Sequence, residues 1–163
     1  MSEILEAKNR LLSLVNELND KYRLSFEVGD DYYNPGNMEY LDQYMGVYKE
    51  ESGIVHIRVD IKGLRYENRS VKLRSVSVGD PLEVVRDREN EFNSNNFNVL
   101  LGDGFNIGPL PAKVCNVIAP LYDAGYLTIE SADVSFVEQL IERSRYAKQG
   151  VLFAELVMRI CGV

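Results

Sequence analysis

The sequence predicts a mainly β, or α+β, protein: a small β-barrel with one capping helix, preceded by an N-terminal helix plus hairpin. Three observations carry that prediction. Val55, Ile57, Val59 and Ile61 alternate with His56, Arg58, Asp60 and Lys62, the period-two pattern of a half-buried strand. Glycines, prolines and asparagines punctuate residues 79–111 at intervals that leave room only for short strands. Ile4, Leu5, Leu11, Leu12, Val15 and Leu18 fall instead on one helical stripe.

Taken in order, residues 3–20 are expected to form an amphipathic helix with Ser2 as its N-cap. Residues 22–28 read as a short strand, and Asp30 to Asn37 as a polar loop carrying Tyr32 and Tyr33. Met38 to Lys49 fits either a helix or a strand; the reading preferred is a strand at 43–49 that turns through Glu50-Glu51-Ser52-Gly53 into the strand at 55–61, making a hairpin. Residues 67–78 give no clear signal, although Val78-Gly79-Asp80-Pro81 is a turn. Pro81 leads into a strand through Arg86, residues 88–95 form a loop, and a strand follows at 96–101. Gly102-Asp103-Gly104 is a tight hairpin turn into a strand at 105–107. Pro111 takes the first helical position of a helix whose apolar face is Val114, Val117, Ile118 and Leu121, and Gly125 is its stop. Residues 126–137 and 151–161 are closing strands, joined by a charged segment at 138–149 that reads as a short helix.

Composition narrows the functional classes. A chain of 163 residues builds a self-sufficient core as one domain with an N-terminal extension. The division expected is 1–53, a helix and acidic extension, and 54–163, the barrel. No apolar run approaches the roughly 20 residues that span a bilayer, and the start lacks the pattern of a secretory leader, so a cytoplasmic location is expected. Cys115 and Cys161 lie in apolar segments and are expected as free core thiols. The net charge of −7 is concentrated in residues 1–53, which carry 5 Lys and Arg against 11 Asp and Glu. The middle of the chain is nearly neutral, leaving room for a local basic patch.

Catalytic and metal chemistry find no support. One histidine, His56, and two scattered cysteines cannot assemble an ordinary four-ligand zinc site, and His56 reads as a surface residue. Asp87, Glu89 and Glu91 sit in or beside a solvated loop, where acid–base work is not expected. Gly102-x-Gly104-x-x-x-Gly108 has the wrong spacing for a phosphate-cradling loop and leads into a strand rather than a helix. Asn68-Arg69-Ser70 is a sequon that, without a secretory leader, carries no glycan. No cofactor and no enzymatic activity are therefore expected. The asparagines at 90, 93, 95, 96 and 98 suit loop and turn conformations, with Asn95 the first candidate for bonding back to the loop backbone.

The motifs of the middle segment form a recognisable series. Gly63-Leu64-Arg65-Tyr66 is followed by Gly79-Asp80-Pro81-Leu82, Arg86-Asp87 and Asn90-Glu91-Phe92-Asn93-Ser94-Asn95. Phe97-x-Val99, Ile107-Gly108 and Leu110-Pro111 continue it, without a gap across 79–111. This series resembles the HIRAN domain, a small barrel of the OB/SH3-like kind. The resemblance covers about Val59 to Tyr126 and has no counterpart in the first 50 residues.

What the resemblance implies is DNA binding, in particular at the 3′ end of a single strand. Bases stack on aromatic rings, basic side chains meet phosphates, and an acidic residue accepts from the terminal hydroxyl. Carried onto this chain, Arg65 and Tyr66 match the arginine–aromatic pair, Phe92 and Asn93 match a Tyr-Asp step, and Asn95 matches the asparagine that follows. Three positions depart from the pattern. Phe92 keeps a stacking face but has no hydroxyl, Asn93 has no charge to strengthen an acceptor, and Pro109 stands where an aromatic or histidine is usual. The alternative expectation is a protein–protein adaptor or regulator of a DNA-processing enzyme, meeting a protein partner through the acidic N-terminal third.

Overall fold

The computed structural model describes residues 2–28, 46–49, 51–61, 72–138 and 151–161. Among these residues the protein is mainly β, with two α-helices and two small antiparallel sheets. Helix α1 spans Ser2–Val28. It is longer than the stripe at 3–20 predicts, and the strand expected at 22–28 is its last two turns. Tyr22, Leu24, Phe26 and Val28 do alternate with other residues, as a strand would require, but no glycine or proline interrupts the chain before Gly29. Extending a formed helix adds a hydrogen bond per residue fixed, whereas a new strand needs a partner. Ser2 is itself the first helical residue rather than a cap outside it.

The first sheet contains β1 (Gly46–Lys49), β2 (Ile54–Asp60), β7 (Val151–Ile160) and β6 (Leu127–Glu138), in that order. The hairpin of β1 and β2 forms as expected, with Lys49 opposite Ile54 and the Gly53 amide donating to the Lys49 carbonyl. Strand β2 then runs beside β7, placing Arg58 opposite Glu155 and Asp60 opposite Phe153. Its apolar positions are buried as the alternation predicts. Its polar positions depart from the prediction: Arg58 and Asp60 are buried as well, so this end of the sheet is covered on both faces. Arg58 lies 3.5 Å and His56 3.4 Å from the Glu155 carboxylate, so His56 is half-buried beside an acid rather than on open surface. Charges removed from water in this way need partners in reach.

The second sheet holds β3 (Glu83–Asp87), β4 (Asn96–Leu100) and β5 (Asn106–Pro109). A short 3₁₀ turn at Leu73–Ser75 precedes it. The chain enters this sheet along the edge of β6: the Gly79 amide donates to Val134, the Val134 amide to Asp80, and the Leu82 amide to Ala132. Pro81 bridges Asp133 at that point. The two sheets are thus hooked together, and among the described residues they do not close into one ring. The turn at 77–80 is held by the Asp80 carboxylate, which accepts from the Ser77 amide at 2.8 Å.

Helix α2, Ala112–Asp123, caps the assembly and buries Val114, Cys115, Ile118, Ala119 and Leu121. It starts one residue later than expected. Pro111 has an extended ψ of 140° and sits just outside, while its carbonyl accepts from the Val114 and Cys115 amides. The helix stops as predicted: Gly125 has φ +84°, its amide donates to Tyr122, and the Tyr126 amide reaches back to Leu121. Helix α1 packs on α2 and adds Ala7, Leu11, Leu14 and Val15 to the shared core. Cys115 is buried in that core, but Cys161 is exposed at the end of β7, contrary to its apolar surroundings in sequence; both thiols are free. The loop at 30–37, strand residues 43–45 and the connection at 139–149 lie outside the described residues. Among those described, no helix is long and apolar enough to cross a membrane.

Candidate nucleic-acid interface

The loop between β3 and β4 carries the predicted residues, and its shape follows from its asparagines. Asp87, the last residue of β3, accepts from the side chains of Asn90, Asn96 and Asn98 at 3.2–3.4 Å. Partial desolvation pushes the Asp87 carboxyl up, but the three amides and the Glu89 backbone outweigh it and hold the group below its ordinary range. The Asn90 carbonyl oxygen accepts from the Phe92 and Asn93 amides, each at 3.0 Å, closing an Asx turn. The Asn93 oxygen accepts in turn from the Asn95 amide at 3.0 Å. Bonding back to the loop backbone therefore falls to Asn90 and Asn93. Asn95 instead reaches α2, where its Nδ2 and that of Asn93 both donate to Asn116 Oδ1, at 3.3 and 3.1 Å.

Arg86 ties the same loop down from the other side. Its Nε and Nη2 donate to the Asp123 carboxylate at 3.0 and 2.8 Å, a two-pronged ion pair with the end of α2. Its Nη1 donates to the Ser94 and Asn96 carbonyls at 2.6 and 3.1 Å. The guanidinium lies over the buried Phe97 ring, 5.4 Å from its centre, and Phe97 meets Tyr122 edge-on. Arg88 adds a second, more exposed contact to Asp123 at 3.0 Å. Sequence reasoning placed Arg86 in the motif series without giving it a role. Its acidic partner is 37 residues away, so no local signal connects the two.

Asp123 gives the arrangement a pH signature. The Arg86 hydrogen bond lowers its pKa, burial opposes that, and Arg88 lowers it further. A carboxylate whose folded pKa is depressed contributes stability above its unfolded value of about 3.9 and loses that contribution as pH falls below it. Asp123→Asn is thus expected to be less stable than the parent at pH 7, with the gap in melting temperature closing towards pH 2–3. A gap independent of pH would show that the carboxylate charge contributes nothing.

What the clamp presents is Phe92, which is 89% exposed. Asn93 and Asn95, on the same loop, are half-buried. The structure therefore brings Phe92, Asn93 and Asn95 onto one loop, whereas Arg65 and Tyr66 lie outside the described residues. Pro109 sits on β5 opposite Asn98; as the last residue of an edge strand it has no amide to offer and needs none. Sequence reasoning missed Asn116, the acceptor that joins the loop to α2. It stands alone among helical residues and carries no local signal.

Among the described residues, no three His, Cys, Asp or Glu side chains gather closely enough to hold a metal ion. Comparison with known proteins gives a match of residues 54–147, more than half of the chain, to the family model of the HIRAN domain. Among solved structures, the crystal structure of the HIRAN domain of human HLTF aligns at 17% identity and a TM-score of 0.47, over 65% of this chain and 77% of that one. A protein from Lactobacillus plantarum aligns at 19% identity and a TM-score of 0.47, over 64% and 98% respectively. Among curated proteins, none matches.

Proposed function

Because this chain belongs to the HIRAN domain family, we propose that it is a non-catalytic DNA-binding module that takes the 3′ end of a single strand on the loop of Phe92, Asn93 and Asn95. Family membership supports nucleic-acid binding. The observation that carries the reading further is an aromatic ring left 89% exposed on a loop whose backbone is held by Asn90, Asn93 and Arg86 and which Asn93 and Asn95 tie to α2. Such a ring offers a stacking face without having to be ordered first. Arg65 and Tyr66 are proposed to supply a phosphate contact and a second stacking face. Asn93 Oδ1, which already accepts from Asn95, keeps a lone pair for the terminal hydroxyl.

The test is fluorescence anisotropy with a labelled single-stranded oligonucleotide at low salt. Phe92→Ala is expected to weaken binding roughly five- to 150-fold, the equivalent of about 1–3 kcal/mol for one stacked base. Its stability should stay within about 0.5 kcal/mol of the parent, as for other exposed positions. An oligonucleotide ending in a 3′-phosphate should bind more weakly than one ending in a hydroxyl; equal binding removes the end preference alone. Failure of the parent protein to bind at low salt, where phosphate contacts are strongest, would sink the reading. That outcome would favour the protein adaptor, which gains support from Arg86 and Arg88, both held by Asp123 rather than facing a ligand.

A further inference from the structure

A trench runs between α1 and α2, floored by Leu14 and Val117 and reaching Asn116, the residue that anchors the Phe92 loop. We propose that this trench carries the nucleotides of the bound strand that lie beyond the one stacked on Phe92, so that α1 is a second binding wall for single-stranded DNA. The inference rests on the DNA-binding reading above. It goes beyond the family, because α1 lies wholly outside the matched residues 54–147.

Four features support it. The first is continuity: Asn116 lines the trench and accepts from both Asn93 and Asn95, so the loop and trench share a side chain. The second is the polar rim. On α1, Asn9 and Ser13 are exposed four residues apart and offer neutral donors, with Arg10 beside them and Lys113 facing them from α2; Glu6 and Glu17 complete the rim, which therefore carries two charges of each sign. The third is the state of those two cations. Arg10 is 3.9 Å from Glu6 and Lys113 is 3.7 Å from Glu17, with all four side chains at least 62% exposed. Pairs of that kind contribute about 0–1 kcal/mol, so a phosphate oxygen can take over either cation. The fourth is rigidity: Ala7, Leu11, Leu14 and Val15 are buried in the common core, so this wall is a fixed part of the fold.

The trench also sets a length. From Glu6 to Glu17 a helix advances about 16 Å, which accommodates at most about five nucleotides at the 3.4 Å spacing of a stacked strand. Affinity should therefore rise with oligonucleotide length and level off near about six, counting the base on Phe92.

The experiment measures anisotropy for oligothymidylates of increasing length across a salt series, with the parent and the double variant Arg10→Gln/Lys113→Gln. Each single-strand phosphate contact contributes about 0.7 to the slope of log K against log salt, so the double variant should lose about 1.4 from that slope. It should also lose the gain with length while still binding the shortest oligonucleotides. Arg159→Gln controls for net charge: Arg159 pairs with Glu130 and stands opposite Ile54, the far end of β2 from the trench, and should leave both readouts unchanged. Binding by the parent with slope and length dependence unaltered in the double variant would overturn the trench and leave the Phe92 site standing. No binding by the parent at any length would overturn both.

Discussion

Gly53→Ala is expected to lower the stability of the protein by about 2–4 kcal/mol, more than the same replacement at Gly79, Gly104 or Gly125, where a Cβ would meet open space. Gly53 has φ +70°, and a methyl group there would run into the backbone carbonyl oxygen of Ile160. The left-handed conformation alone costs an L-residue about 1–2 kcal/mol. The clash adds to this because the neighbour is backbone: the Gly53 carbonyl accepts from the Ile160 amide at 2.8 Å, so moving one strand breaks the bond to the other. Gly104 supplies the comparison. It has φ +87° but open space where a Cβ would go, so Gly104→Ala should cost only the conformational part. Urea denaturation of both variants measures the difference. Equal losses would mean that the hairpin yields to Ile160 without cost.

Arg86→Met should cost about 3 kcal/mol and, unlike Gly53→Ala, should also impair DNA binding. The substitution keeps much of the aliphatic bulk over Phe97 but removes four hydrogen bonds, two to Asp123 and one each to Ser94 and Asn96. The Asp123 carboxylate is left to Arg88, whose side chain is 63% exposed. With its inner anchor gone, the Phe92 loop is expected to lose order and affinity to fall as it does in Phe92→Ala. Arg86→Lys restores a charge near Asp123 but not the fork that also reaches the loop carbonyls, so it should recover part of the stability and little of the binding. Pairing Arg86→Met with Asp123→Leu should destabilise by less than the sum of the two, because each already removes the shared contact. Full binding by a folded Arg86→Met protein would show that the asparagines alone shape the loop.

The sequence made the local devices legible. The alternation at 55–61, the glycines at 53, 104 and 125, and the Asn-rich segment each act within a few residues of themselves, and each appears where expected. What escaped depends on residues far apart. Arg86 needs Asp123, the Asn93 and Asn95 side chains need Asn116, and Arg58 lies buried beside Glu155 from the other end of the chain. Period-two alternation does not reveal that both faces of a strand end will be covered, so Arg58 and Asp60 read as solvent-facing. The strand expected at 22–28 failed for a different reason: alternation over seven residues fits a strand, but a helix already under way meets no obstacle there. Cys161 shows that an apolar neighbourhood in sequence does not ensure burial at a strand end.

The pairing of β2 with β7 has a consequence for how the molecule comes to be made. His56 and Glu155 meet across 99 positions of chain, and β7 stands between β2 and β6 in the sheet order. Until β7 is synthesised, one long edge of β2 and one of β6 have no partner in this sheet. Topologies dominated by such distant pairings fold slowly, and unpaired edges invite association with other chains in the meantime. A ribosome-bound chain halted before residue 151 should therefore be protease-sensitive and prone to aggregate, however well its β3–β5 sheet has formed. The Phe92 loop and its asparagine frame lie within that early sheet, so the proposed docking surface can take shape before the larger sheet is complete.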